Sequence, residues 1–305
     1  MRSPTQPVLS ETDIAAIVSR GLGAGLAGAE ELSGGTFASV WRADLADGRP
    51  VVVKVAPPAT ARLLRYEAGL IPAEADYFAS VAAGAPGVPV PEVLAVEPGW
   101  IITSMLPGSP LAGHDSVRAR TELGAAIRRV HTITGRHFGY TGERARGDDW
   151  PTAFAAIIDD LRADAADWDV PLPALDGVVA RHHDVLAAVT RPALLHFDLW
   201  DGNVLVGPDG ALTGLVDGER HLYGDPLLDF VSPALFHRIE EVPDHPFLAG
   251  YQPEPFDDSA RVRLALYRVH LYTLMIAEGP SRGIERADGR HDYLTGLLER
   301  ELADL

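Results

Sequence analysis

The predominant hydrophobic period of the chain shifts near residue 106, and this points to a strand-rich unit followed by a mainly helical one. Before that point the segment Pro50-Val51-Val52-Val53-Lys54-Val55 is a β-branched run. A period of two puts Val51, Val53 and Val55 on one face and Val52 and Lys54 on the other. Residues 32–41 read as strand, glycine turn at Gly34-Gly35, strand, and Asp47-Gly48 marks a hairpin. Residues 100–106 form a further strand that stops at Pro107-Gly108. A short helix over 11–20 leads the chain, and residues 63–83 are helical, with Pro72 expected to divide them into a short first piece and a longer one from about Ala73.

Beyond residue 106 the period becomes helical. Val117, Leu123, Ile127 and Val130 are expected to share one face. Phe154, Ile157, Ile158 and Leu161, at i, i+3, i+4 and i+7, form another behind Pro151, with Asp159, Asp160, Asp164 and Asp167 on the opposite side. Further helices are expected at 174–189, 258–277 and 291–304. Between them lies a β insert of residues 193–195, 203–206 and 211–216, turning at Gly207-Pro208-Asp209-Gly210. The expectation is an α+β chain of two lobes, a β-rich unit over 1–106 that ends in a hinge strand and a helical unit over 107–305.

Composition excludes several functions. Zero cysteines remove disulfides, thiolate catalysis and cysteine-ligated metals. A balance of 43 acidic to 26 basic residues, net −17, disfavours nucleic acid and suits a cationic small molecule. The apolar stretches are interrupted by Arg268, His270 and Tyr272, so no membrane span is expected, and without a signal-peptide pattern at the start a cytoplasmic location is expected. Among the 26 cations Lys54 is the single lysine. Arginine cannot replace a compact ammonium on a flexible stem, so Lys54 is a site candidate.

The chemistry concentrates in His196-Phe197-Asp198-Leu199-Trp200-Asp201-Gly202-Asn203. Asp198 and Asn203 have the separation found in a kinase catalytic loop, where the aspartate takes the substrate hydroxyl proton and the asparagine holds Mg²⁺. Asp217 follows Asn203 by fourteen residues at the far end of a hairpin that begins at Asn203. Closing that hairpin offers two hard oxygen ligands at one point, suited to Mg²⁺. Such a loop alone is a weak signal. The order glycine turn, valine-flanked lysine, helix glutamates, hinge strand, catalytic loop and hairpin aspartate is the order a protein-kinase-like arrangement requires.

In these features, and in Gly87-Val88-Pro89-Val90-Pro91-Glu92-Val93-Leu94, Leu106-Pro107-Gly108 and Gly224-Asp225-Pro226-Leu227-Leu228-Asp229, the chain resembles the aminoglycoside and antibiotic phosphotransferases and related small-molecule kinases over about residues 30–235. The resemblance implies a bilobal protein-kinase-like fold and transfer of the γ-phosphate of ATP or GTP to a hydroxyl. It implies that Lys54 binds the α/β-phosphates, that Glu74 orients it, and that residues 33–39, with Gly34, Gly35 and Thr36, cover the phosphates. Ser104 and Leu106 would offer backbone groups to adenine. Asp198 would be the catalytic base, with Asn203 and Asp217 on Mg²⁺. Glu67 reads as a solvated helix-start carboxylate, His196, Asp225 and Asp229 as loop supports, and His182, His183, His221 and His237 as surface or capping residues.

Three departures bear on the substrate and the metal. Phe197 stands where that family often has glycine, Glu219 adds a carboxylate beside Asp217, and Leu199-Trp200 makes the loop similar to that of fructosamine kinases. The acceptor classes left open are an aminoglycoside, amino-sugar or related antibiotic on one side and a ketosamine or other sugar on the other. A nucleotide-binding pseudokinase is disfavoured because Lys54, Asp198, Asn203 and Asp217 are all present.

Overall fold

The computed structural model describes residues 2–284 and 288–305. The chain runs through α1 (Glu11–Leu22), β1 (Leu26–Glu31), β2 (Ser39–Leu45), β3 (Pro50–Val55), α2 (Leu70–Gly84), β4 (Val93–Glu97) and β5 (Trp100–Ser104). These strands make one antiparallel sheet in the order β1-β2-β3-β5-β4. Register sets Lys54 opposite Val40 on one side and Ile101 on the other. Val51 and Val53 point to one face, where they pack with Trp41, Ala43, Leu45, Trp100 and Ile102 against Ile14 and Val18 of α1. Full burial of such a valine stabilises by about 1.5–3 kcal/mol. Lys54 leaves on the opposite face, toward α2, as the alternation requires.

The remaining elements are β6 (Ser109–Pro110), α3 (Val117–Val130), β7 (Phe138–Tyr140), β8 (Arg146–Gly147), α4 (Trp150–Asp167), α5 (Val178–Arg181), α6 (His183–Ala187), β9 (Ala193–Leu195), β10 (Val204–Val206), β11 (Leu212–Leu215), β12 (Leu222–Gly224), α7 (Pro246–Tyr251), α8 (Asp258–Ala277) and α9 (Arg290–Ala303). Two small sheets, β11-β10-β6 and β8-β7-β12-β9, bracket the stretch between β9 and β10. A second, larger core lies among α2, α3, α4, α8, α9 and these strands. The fold is α+β and bilobal, of the protein-kinase-like type.

Several sequence expectations are corrected. The strand before the glycine turn is β1, ending at Glu31, so the turn is a longer loop over 32–38. The helical stretch breaks at Gly69, whose φ is 70°, and not at Pro72. Pro72 falls in the first turn of α2, where its missing N–H would have had no partner in any case. Val117 is 66% exposed, whereas Leu123, Ile127 and Val130 are buried. Six residues separate Val117 from Leu123, which rotates it away from that face. The expected helix over 174–189 is two short pieces that meet at His182. Strands β6, β7, β8 and β12 carry too few residues to show a period. No helix among the described residues is long and apolar enough to cross a membrane.

Candidate active site

Lys54 sits among three carboxylates. Its Nζ is 2.9 Å from Glu74 and 2.7 Å from Glu219, and it hydrogen-bonds Asp217. Each partner arrives from a different element. Lys54 comes from β3, Glu74 from the second turn of α2, and Asp217 and Glu219 from the 3-10 turn that follows β11. Gly218 allows the close approach, since a Cβ there would lie 2.2 Å from the Tyr77 ring of α2. Asp217 itself adopts a left-handed backbone, φ 65°.

One ammonium cannot neutralise three carboxylates, of which Glu74 and Glu219 are buried and Asp217 is partly exposed. Burial alone would depress Lys54, but Asp217, Glu219 and Glu74 outweigh it and hold the ammonium well above its ordinary range. Burial pushes Glu74 and Glu219 up. For Asp217, whose side chain is 36% exposed, the charge and hydrogen bond of Lys54 outweigh the upward push of desolvation and pull it below its ordinary value. One oxygen from each of Glu74, Asp217 and Glu219 lies within 4.8 Å of the others, and the Oε2 atoms of Glu74 and Glu219 both face the Lys54 ammonium. A surplus of negative charge on hard oxygen donors fits a divalent cation such as Mg²⁺.

The loop between β9 and β10 is fixed from beneath. Asp229 accepts the backbone N–H of His196 at 2.9 Å and of Phe197 at 2.6 Å, and its own orientation is set by His131 at 2.9 Å. Burial lowers the pKa of His196 and so disfavours its charged form. Its Nδ1 accepts the Asp198 N–H at 3.3 Å, which leaves Nε2 to donate to the Val216 carbonyl at 3.1 Å. Asp225 accepts from Arg263 at 2.6 Å and from Tyr267 at 2.7 Å. Asp229 and His196 thus brace the loop, whereas the contacts of Asp225 run to α8.

Phe197 takes a φ of 70°, a region that favours glycine. Its ring stacks on His270 at 4.7 Å, so the side chain is used in packing. At the loop's outer end Arg120 of α3 grips Asp201 through two hydrogen bonds of 2.9 and 2.6 Å. The Asn203 amide donates to the Asp198 carbonyl at 2.9 Å, and the Asn203 carbonyl accepts the Val216 N–H at 3.0 Å, one residue before Asp217. Hairpin closure therefore brings Asn203 and the Asp217 backbone together. The Asp198 carboxyl is pushed up to about 6, first by burial, with Arg220 opposing and Asp217 adding to the rise.

Gly34, Gly35 and Thr36 lie exposed in the loop ahead of β2. Ser104 ends β5, and its N–H and hydroxyl are engaged by the backbone of Glu92. Leu106 follows it, half-buried against Gly214.

Sequence reasoning misread some neighbours. Glu67 is not solvated: it is 1% exposed and paired with Arg282. His221 is buried and bonds the Gly218 carbonyl at 3.2 Å. The aspartate face of α4 is largely consumed, with Asp164 and Asp167 on Arg65 and Asp159 on Arg162 at 3.2 Å. Arg220, 3.7 Å from Asp198, and Glu278, 3.0 Å from Arg220, were missed because no spacing in the chain relates them to the loop.

Comparison with known proteins agrees with this fold. Similar solved structures include a candidate fructosamine-3-kinase from Thermobifida fusca, 23% identical, with 96% of this chain and 100% of that one aligned at a TM-score of 0.71. A second candidate fructosamine-3-kinase, from Haemophilus somnus, is 16% identical over 95% and 96% of the two chains at 0.72. Aminoglycoside phosphotransferase APH(4)-Ia, in a complex with AMP-PNP and hygromycin B, is 19% identical over 96% and 98% at 0.59. No curated protein sequence matches the chain. The model of the phosphotransferase enzyme family (APH) matches residues 28–265, and the chain belongs to that family.

Proposed function

We propose that this phosphotransferase moves the γ-phosphate of ATP or GTP, with Mg²⁺, to a hydroxyl of a small molecule, residues 1–106 holding the nucleotide and residues 107–305 the acceptor. The observation that carries the reading is the bond from Lys54 to Asp217. It ties the nucleotide-side sheet to the hairpin that begins at the catalytic loop.

In this reading Lys54, held by Glu74, meets the α/β-phosphates, and Gly34, Gly35 and Thr36 cover them. Asn203 and Asp217 hold Mg²⁺, with Glu219 beside them. The metal, when bound, neutralises charge on the phosphates. Asp198 accepts the acceptor's hydroxyl proton and orients its oxygen toward the phosphorus. Because the Ser104 N–H is taken by Glu92, backbone contact with the purine falls to the following residues, Leu106 among them.

For the acceptor, an amine-bearing molecule of the aminoglycoside or amino-sugar kind remains the first reading, on the strength of the net charge of −17. Asp159, Asp164 and Asp167 are paired with arginines, which favours an acceptor with few ammonium groups. A second reading, a ketosamine or sugar acceptor, is supported by Trp200, an aromatic side chain 37% exposed two residues from Asp198.

The test is nucleotide turnover with ATP and with GTP across amino-sugars, aminocyclitol antibiotics and glycated amines. Turnover on glycated amines alone reverses the order of the two readings. Retention of ordinary turnover by Asp198→Ala would end the assignment of the base.

A further inference from the structure

The glycine-rich loop is tied to the far lobe by more than its own backbone. Thr5 donates to the Thr36 carbonyl at 2.9 Å, and the Gln6 amide donates to the carbonyls of Gly35 and Ala38, both at 3.1 Å. From the same segment the Ser3 hydroxyl reaches the Ser281 carbonyl at 3.4 Å. At the loop's end Phe37 is buried, its ring lying under the Arg282 guanidinium at 4.9 Å.

Arg282 opens a buried network that leads to Asp198. It pairs with Glu67 and lies 3.5 Å from Glu278. A single oxygen, Glu278 Oε2, also takes the Tyr66 hydroxyl at 3.1 Å and Arg220 at 3.0 Å. Arg220 then stands 3.7 Å from Asp198. Glu67, Glu278, Arg282 and Tyr66 are all under 10% exposed. Buried ion networks of this kind add little stability over apolar residues of the same volume, and a role in positioning accounts better for their presence.

The distances around Arg220 suggest what is positioned. Glu278 holds the guanidinium at hydrogen-bond length, which leaves it beyond that length from Asp198. At 3.7 Å it still favours an ionised Asp198 without occupying the lone pairs that a substrate hydroxyl needs. Without Glu278, Arg220 would close on Asp198. We propose that Glu278 and Arg282 are positioning residues that couple closure of the glycine-rich loop to Asp198, by drawing Arg220 off the base only while Phe37 is seated beneath Arg282. This inference rests on the reading of Asp198 and of the loop given above.

The experiment is steady-state kinetics on Phe37→Leu, Glu278→Gln and the double variant, with folding checked by thermal unfolding and with magnesium and ATP as the nucleotide probe. Glu278→Gln is expected to lower kcat about tenfold with nucleotide KM nearly unchanged, and Phe37→Leu to lower kcat while raising nucleotide KM several-fold. In the double variant the loss in kcat is expected to be less than the product of the single losses, since both act through one contact chain. Losses in kcat that multiply independently overturn the coupling, as does an unchanged kcat in Glu278→Gln. If Glu278→Gln does not fold, Phe37→Leu and Gln6→Ala decide the matter: a rise in nucleotide KM with kcat intact overturns the proposal. Turnover that survives Asp198→Ala would instead overturn the underlying reading of the base.

Discussion

The Asp229 carboxylate accepts the backbone N–H of Phe197 at 2.6 Å, from a position with no exposure to solvent. The same group takes the N–H of His196, so two successive amides of the catalytic loop end on one side chain. Asp229→Asn would set an NH₂ group against one of these donors. The expected loss is about 1–3 kcal/mol of stability, the cost of an unsatisfied buried polar group, together with a fall in kcat, read from the urea midpoint and from turnover of the folded fraction.

Phe197 sets two effects against each other. Its left-handed backbone costs of order 1 kcal/mol for a residue with a Cβ, and Phe197→Gly would relieve that. The same change removes a fully buried ring stacked on His270, a loss of about 3–5 kcal/mol. Packing wins, so the variant is expected to be less stable, by thermal or urea unfolding, although glycine is common at this place in the family the loop resembles.

Acid titration of Asp198 has a definite sign. Burial raises its pKa from the ordinary carboxylate value of 3.8 to about 6, and the proposed base works only when ionised. The ionised fraction, and with it kcat/KM, is expected to fall roughly tenfold between pH 7 and pH 5. The folded pKa lies above the unfolded one, so this group favours the folded state at low pH and loses that contribution as pH rises through about 6. A pH–rate profile with no inflection near 6 would contradict the assignment.

Lys54→Met would leave Glu74, Asp217 and Glu219 facing one another without the ammonium. An uncompensated buried charge costs about 3–5 kcal/mol, so the apo variant is expected to unfold at a markedly lower temperature. Addition of MgCl₂ should restore part of the loss, since a cation bound only by the folded state stabilises it by mass action. Calorimetry with EDTA and with MgCl₂ reads both effects. Lys54→Arg is expected to impair transfer although the charge is kept, because a planar guanidinium does not fit a site built for a point charge.

Much of the frame was legible in the sequence, because it rests on local rules. The alternation in residues 51–55 places Lys54 on the face away from the valines. The i, i+3, i+4, i+7 pattern of Phe154, Ile157, Ile158 and Leu161 marks the buried side of α4, and the hairpin between Asn203 and Asp217 follows from a turn and two short apolar runs. The loop Asp198 to Asn203 stood out by spacing, and Lys54 by being the single lysine.

What the tertiary structure decided concerns partners far apart in the chain. Glu74 and Glu219 meet Lys54 because α2 lies on Gly218. Glu67 is buried because Arg282, more than two hundred residues away, neutralises it. Arg65 takes up Asp164 and Asp167, and Glu278 takes up Arg220. Periodicity reports which face of an element is apolar, but not which charge waits on the other side of the interface. Such pairing depends on how lobes and helices pack, and local sequence carries no signal for it.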